Sequence, residues 1–480
     1  MGIQAKELHH FILFPFLAQG HLIPMVDIAR MLAQRGVIIT IFTTTQNAAR
    51  VQGVLNRAKE AGLRINLIQL KFPYVEAGLP QGCESLEALP SPDLGEKFFS
   101  STSLLQKPVE TMMPELTPPP TCVISDPYMP WTINIARKLN IPRIVFHARC
   151  NFFQLCSHLL CVPETEYIGI PGLPDRIDVM KAQLPEPRTS EMKEFQEQMK
   201  EAEMESYGVI INSFEELEPS YVKEYKKMKS GKLWCVGPAS LCNKNELDNA
   251  ERGKKSSIDE HECLKWLDSW KPSSVIYVCF GSIFTLTLPQ SIELALGLEA
   301  SNKPFIWVVR DSGSNRYEEL EKWFKEYEFE ERIKRRGMVI RGWAPQVLIL
   351  SHPSIGAFLT HCGWNSTLEA ISSGIPMVTW PLFTDQFLNE KLVAQVLKTA
   401  VTVGSKYIEP GEEDQVMVKS ETIQIAIEKV LDDQGEESIE RRERAKKFGE
   451  MAKRAVEEGG SSHSNITLFL EEVGAKSYLK

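Results

Sequence analysis

Short apolar runs alternate with stretches of helical spacing along most of the chain. "FILFPF" (11–16) reads as a strand. After it, Met25, Ile28, Ala29 and Leu32 fall three and four residues apart, the spacing of a helix with one apolar face. Gly36 marks its stop. "VIITIFTT" (37–44) is a second strand, and "TCVISD" (121–126) and "PRIVFH" (142–147) are two more, with a helical stretch between them. Strand–helix–strand alternation predicts a parallel α/β sheet.

The alternation then restarts. "SVIYVCFGS" (274–282), a helix near 290–302, "FIWVVR" (305–310), "GMVIRGW" (337–343), "IGAFLTH" (355–361) and "IPMVTW" (375–380) repeat the scheme. Between the halves lies "CNKNELDNAERGKKSSIDEHE" (242–262), polar and charged as a domain boundary should be. Residues 434–458 are highly charged and predict a helix on a solvated face. The fold class is therefore α/β, with two doubly wound parallel-sheet domains and a cleft between them. A chain of 480 residues is long enough for that division.

Composition removes some function classes. A net charge of −9 argues against a nucleic-acid partner or an anionic membrane surface. The ten cysteines show no Cys-x-x-Cys pair and read as reduced thiols of a cytoplasmic protein. The run Phe11–Ala18 is too short for a membrane span and has no cleavage site, so neither a signal peptide nor a membrane anchor is expected.

The candidate chemistry gathers where strands end. In doubly wound sheets, ligands bind beyond the carboxyl ends of the strands. "HCGWNSTLEA" (361–370) places His361, Trp364, Asn365 and Ser366 at such an end, where a helix begins. Helix N–H groups and the helix dipole suit an anion there, and Gly363 permits close approach. A capped helix with one packed tryptophan would read the same way. Trp343-Ala344-Pro345-Gln346 follows another strand, and its indole suits a flat heterocycle. Glu369 lies four residues beyond Asn365 and suits a ribose diol. Asp385 and Gln386 suit neighbouring sugar hydroxyls. Ser282, after Gly281, offers one more phosphate donor. Together these describe a nucleotide sugar.

His21 follows the first strand and is the candidate base, although a lone histidine before a helix is often a surface residue. Asp126 follows a strand end 105 residues later and also fits a turn starter before Pro127. No Asp-x-Asp occurs, so no metal cofactor is expected; donors and the helix dipole would stabilise a leaving diphosphate.

The 44 residues from Trp343 to Gln386 resemble the signature box of plant family-1 UDP-glycosyltransferases. The likeness includes His-Cys-Gly-Trp-Asn-Ser-Thr-Leu-Glu at its expected offset. "FPFLAQGHLIPMVDIARMLAQRG" (14–36) and "EEGGSSHSN" (457–465) resemble the group acting on triterpenoids, steroids and flavonoids. The resemblance implies a GT-B fold with an acceptor-binding Rossmann-like domain at 1–245 and a linker at 246–258. A UDP-sugar-binding Rossmann-like domain at 259–460 and a helix at 461–480 crossing back to the first domain complete it. It implies that Asp126 stands against His21, Trp343 stacks on uracil and Ala344 reads its edge. Gln346 and Glu369 would hold the ribose, and Ser282, His361, Asn365 and Ser366 the pyrophosphate. Trp364, Asp385 and Gln386 would hold the sugar, a final Gln going with glucose. Phe146-His147-Ala148 departs from the Thr or Ser often found there.

The function expected is inverting transfer of glucose from UDP-glucose to a hydroxyl of a small apolar plant metabolite, a triterpenoid, steroid, flavonoid or phenolic. A β-glycoside would result. A UDP-sugar hydrolase or epimerase and a non-catalytic UDP-sugar binder are the alternatives. Phe16, Leu17, residues 75–100 and residues 147–160 are expected to line the acceptor pocket, although Phe152 and Phe153 fit packed core rings equally well. A monomer is expected.

Overall fold

The first strand shows how the first sheet is built. Phe11 and Leu13 join one apolar cluster, and Ile12 and Phe14 join another. Strand side chains alternate between faces, so this sheet is buried on both. The computed structural model describes residues 9–160, 167–183, 189–243, 248, 252–253, 256–283, 286–310, 315–406 and 418–477. In it β1 (His10–Phe14) lies between β2 (Ile38–Thr44) and β4 (Cys122–Ser125), parallel to both. With β3 (Ile65–Leu70), β5 (Arg143–His147), β8 (Gly208–Ile211) and β9 (Leu233–Cys235) the order is β3-β2-β1-β4-β5-β8-β9. The strand order reverses direction between β1 and β4. A separate antiparallel pair joins β6 (Tyr167–Gly169) and β7 (Asp178–Met180).

The second sheet contains β10 (Val275–Cys279), β11 (Phe305–Val309), β12 (Gly337–Arg341), β13 (Ile355–Thr360), β14 (Met377–Thr379) and β15 (Ala400–Thr402). All its pairs are parallel, in the order β12-β11-β10-β13-β14-β15. Ile276, Val278, Ala357 and Leu359 build the core on one face. Tyr277 stacks on Phe358 on the other, with ring centroids 5.1 Å apart. Here the order reverses between β10 and β13.

The described residues of Met1–Cys150, Glu186–Asn243 and Ala455–Lys480 cluster into one unit. Those of Asn151–Pro185 and Lys244–Arg454 form the other. Residues 151–183 therefore group with the second unit, not with the first domain in which the sequence reading put them. The helix Asn151–Leu159 packs against the helix Asp385–Lys391, and its Phe152 and Phe153 are buried. The helix Ser461–Ser477 sets Phe469 against Phe11 and Trp234 in the first unit. Of the expected linker, 246–247, 249–251 and 254–255 lie outside the described residues. Among the described residues, nine cysteines are all free, and no helix is long and apolar enough to cross a membrane.

Candidate active site

The reversal between β1 and β4 brings two chain ends together. After β1 the chain turns through Phe16, Leu17 and Ala18 into the helix Gln19–Gln34, so His21 stands in its first turn. After β4 comes Asp126, whose backbone N–H donates to Phe14 O at 3.0 Å. His21 Nδ1 lies 2.6 Å from Asp126 Oδ2. The other carboxylate oxygen accepts from Tyr128 N–H at 3.0 Å. A carboxylate only accepts, so Nδ1 carries the proton, and in the neutral ring the lone pair is on Nε2. The Asp126 side chain is wholly buried while His21 is 18% exposed, so the ring can meet a ligand and its partner cannot.

Aromatic rings wall this pair. Phe16 and Tyr128 stand edge-on to the imidazole, with centroids at 5.3 and 5.5 Å. Phe99 stacks on both Phe16 and Tyr128, and Phe195 lies beyond. Glu87 caps the histidine's helix from a distant segment, accepting from Gln19 N–H at 2.5 Å.

The second reversal organises the other predicted residues. Gly281 and Ser282 follow β10, and His361 follows β13. A side chain at Gly281, whose φ is +77°, or at Gly363 would run into the His361 ring. Two glycines thus make room for one imidazole. Burial pushes the His361 pKa down to about 4, against the pull of Asp385 and the Cys279 carbonyl. Burial thus favours the neutral ring over the cation at pH 7.

The helix Trp364–Ser373 begins at Gly363, which has no side chain to cap it. Trp364 itself is buried at 3%, so its indole packs in the protein interior. Asn365 and Ser366 complete the first turn. Gln346 Nε2 donates to Ser366 Oγ at 3.1 Å and to Glu369 Oε2 at 2.7 Å. Gln346, Ser366 and Glu369 therefore form one cluster drawn from two helices, Gln346–Ser351 and Trp364–Ser373. Trp343 follows β12 and is half-buried, and Ala344 beside it is buried.

Thr384, at φ +49°, turns the chain into the helix Asp385–Lys391. Gln386 Oε1 accepts from Leu382 N–H at 2.8 Å and Phe383 N–H at 3.2 Å. Its oxygen is thus held by backbone, and the amide end is what the side chain can offer as a donor. Asn389, absent from the sequence reading, donates to Asp385 Oδ2. Its place one helical turn after Asp385 was the available signal. Glu87 had none, because the helix it caps is remote in sequence. Among the described residues, no three His, Cys, Asp or Glu side chains gather as a metal site would need.

Comparison with known proteins covers nearly the whole chain. A family model described as "UDP-glucoronosyl and UDP-glucosyl transferase" matches residues 233–439, and one described as "Glycosyltransferase, N-terminal domain" matches 10–240. UDP-glycosyltransferase 73C3 of Arabidopsis thaliana is 55% identical over 97% of this chain and 96% of its own. UDP-glycosyltransferase 73C25 of Barbarea vulgaris is 52% identical over the same shares. The crystal structure of Glycyrrhiza uralensis UGT73P12 with glycyrrhetinic acid 3-O-monoglucuronide superposes with a TM-score of 0.88 at 37% identity, covering 98% of this chain and 96% of that one. Arabidopsis thaliana UGT89C1 with UDP-L-rhamnose gives 0.77 at 30%, covering 98% and 100%.

Proposed function

The chain belongs to the plant UDP-glycosyltransferase family, and from that premise we propose that it moves glucose from UDP-glucose to a hydroxyl of a small apolar acceptor. It is a UDP-glycosyltransferase, and its two doubly wound sheets are the Rossmann-like domains of the GT-B fold. The observation that carries the chemistry is the 2.6 Å pair of His21 and Asp126. With Nδ1–H given to Asp126, His21 Nε2 takes the acceptor hydroxyl proton. The oxygen forms its bond to C1 as the bond to UDP breaks on the opposite face, and the electron pair leaves with the diphosphate. Inversion gives a β-glucoside. Asp126 steadies the imidazolium as it forms.

In this reading Trp343 stacks on uracil beside the Ala344 backbone, and Gln346 and Glu369 take the ribose. Ser282, His361, Asn365 and Ser366 take the pyrophosphate at the helix start, without a metal or other cofactor. Asp385 accepts from sugar hydroxyls and Gln386 donates to them. Trp364, although buried, completes the set of residues assigned to the sugar. We expect UDP-glucose to exceed UDP-galactose by at least about tenfold in kcat/KM, about 1.4 kcal/mol. Equal rates would contradict the assignment of Gln386.

The rings of Phe16, Phe99 and Tyr128 beside His21 support a flat or bulky apolar acceptor, of triterpenoid, steroid, flavonoid or phenolic class. A relative's complex with glycyrrhetinic acid 3-O-monoglucuronide supports the same class. The free cysteines among the described residues suit the cytoplasm. UDP release, measured with UDP-glucose alone and then with a phenolic acceptor, tests the proposal. Release only with acceptor supports transfer; equal release without it would indicate a hydrolase.

A further inference from the structure

A segment that reads as a polar domain boundary carries two residues bound to positions assigned above to the nucleotide, one through a side chain and one through the backbone. Arg252 Nη1 donates to Glu369 Oε1. The pair is well buried, with side chains 11% and 6% exposed. Glu369 Oε2 takes the amide of Gln346. The carboxylate is therefore gripped at both oxygens. Five residues on, Ser257 closes a two-point clamp on Trp343. Its N–H donates to Trp343 O at 2.8 Å, and its Oγ accepts from Trp343 N–H at 2.9 Å. Gly342, at φ +106°, makes the clamp feasible, because a side chain there would strike Ser257 Oγ.

A buried ion pair is a costly way to gain stability, since apolar side chains of similar volume often serve as well. A site that needs an oriented carboxylate gives such a pair a reason. Two oxygens offer about four lone-pair directions, so each oxygen held here keeps one for a further O–H. The guanidinium also offsets the repulsion between Glu369 and any nearby anion.

We propose that Arg252 and Ser257 are positioning residues for nucleotide binding: Arg252 aims the Glu369 carboxylate at the ribose hydroxyls, and Ser257 aims the Trp343 indole at the uracil. This rests on the ribose and uracil roles given above to Glu369 and Trp343. Neither positioning residue touches the reacting atoms.

The test is calorimetric binding of UDP and of its 2′,3′-dideoxy analogue to the full chain and to Glu369→Ala, Arg252→Gln, Arg252→Lys and Ser257→Ala. Arg252→Gln should weaken UDP roughly tenfold, as loss of a charge-assisted hydrogen bond would, and change the dideoxy analogue less than about twofold. Arg252→Lys should recover part of the loss. Ser257→Ala should weaken both nucleotides alike, because Trp343 serves the base. Equal losses on both nucleotides for Arg252→Gln, or none on either, would overturn the role of Arg252. No loss on either for Ser257→Ala would overturn that of Ser257. If Arg252→Gln does not fold, Arg252→Lys carries the same comparison between nucleotides. Glu369→Ala separates the two levels: if it leaves UDP binding intact, the ribose role of Glu369 fails, whatever Arg252 does.

Discussion

Asn389 ties Asp385 to the start of the neighbouring helix: its side-chain amide donates to Asp385 Oδ2 at 2.8 Å and to the carbonyl of Cys362 at 2.9 Å. Cys362 immediately precedes Gly363, where the helix Trp364–Ser373 begins, so one buried side chain reaches both the carboxylate proposed to meet the sugar and the helix start proposed to meet the phosphates. Asn389→Ala removes this donor from the Cys362 carbonyl and from Asp385 Oδ2, leaving Thr384 Oγ1 donating to Asp385 Oδ1 at 3.1 Å. The donor KM should rise about tenfold, as loss of one or two buried hydrogen bonds implies, with the acceptor KM little changed. Steady-state kinetics with each substrate varied in turn checks this. An unchanged donor KM would remove Asn389 from the site.

Trp343→Ala should remove a stacking face worth roughly 1–3 kcal/mol. Glu369→Ala should strip the ribose of its acceptor. Both should raise the donor KM far more than the acceptor KM. EDTA should change the rate little, because a helix start and the His361 ring are proposed to meet the diphosphate. Activity abolished by EDTA and restored by Mg²⁺ or Mn²⁺ would contradict the assignment.

Glu390 lies one residue beyond Asn389, buried, with Thr379 Oγ1 donating to it at 2.7 Å. Burial pushes its pKa up to about 7, outweighing that hydrogen bond and the charge of Lys391. A carboxyl raised in the folded state favours folding below its ordinary value and loses that contribution as pH rises through about 7. Glu390→Gln keeps an acceptor for Thr379 but carries no charge. Its stability relative to the native chain should improve by roughly 2 kcal/mol at pH 8 and by little at pH 5. Urea denaturation at the two pH values reads the difference. A gain independent of pH would show that Glu390 does not titrate in this range.

The strands legible in the sequence are those buried on both faces. β1, β2 and β13 are continuous apolar or near-apolar runs, as a covered parallel sheet requires. β3, "INLIQL", escaped because it lies at the sheet edge with only its two end positions buried. β9 and β15 are three residues each, too short to leave a periodic signal. The charged helix Glu436–Val456 is not solvated all round. Ala445 and Ala452 are buried, and a side chain at Gly449 would lie 2.8 Å from Gly374 N. Small residues packed against backbone carry no hydrophobic pattern. The candidate site was readable where each residue follows its own strand closely in sequence, as with His21, Asp126, His361 and Trp343. Glu87, Arg252 and Ser257 were not, because their meaning lies in a partner the sequence does not place beside them; Asn389 left only its spacing of one helical turn from Asp385. The grouping of 151–183 with the second unit was hidden for the same reason.

His21 is proposed as the base, held by Asp126. His21→Ala removes Nε2 while leaving untouched the residues proposed to bind the donor, which belong to the other unit. The most direct test of that role is kcat on an aliphatic alcohol and on an acidic phenol, beside calorimetric affinity for UDP-glucose. General-base catalysis contributes about 10²–10⁴-fold, and an alcohol, scarcely ionised at pH 7, needs all of it. An acidic phenol, already partly ionised, should lose less. Donor affinity should stay near the native value. Asp126→Asn should also be damaging, and adding it to His21→Ala should cost little more, because the pair acts as a unit. Near-native kcat on the alcohol for His21→Ala would place the base elsewhere.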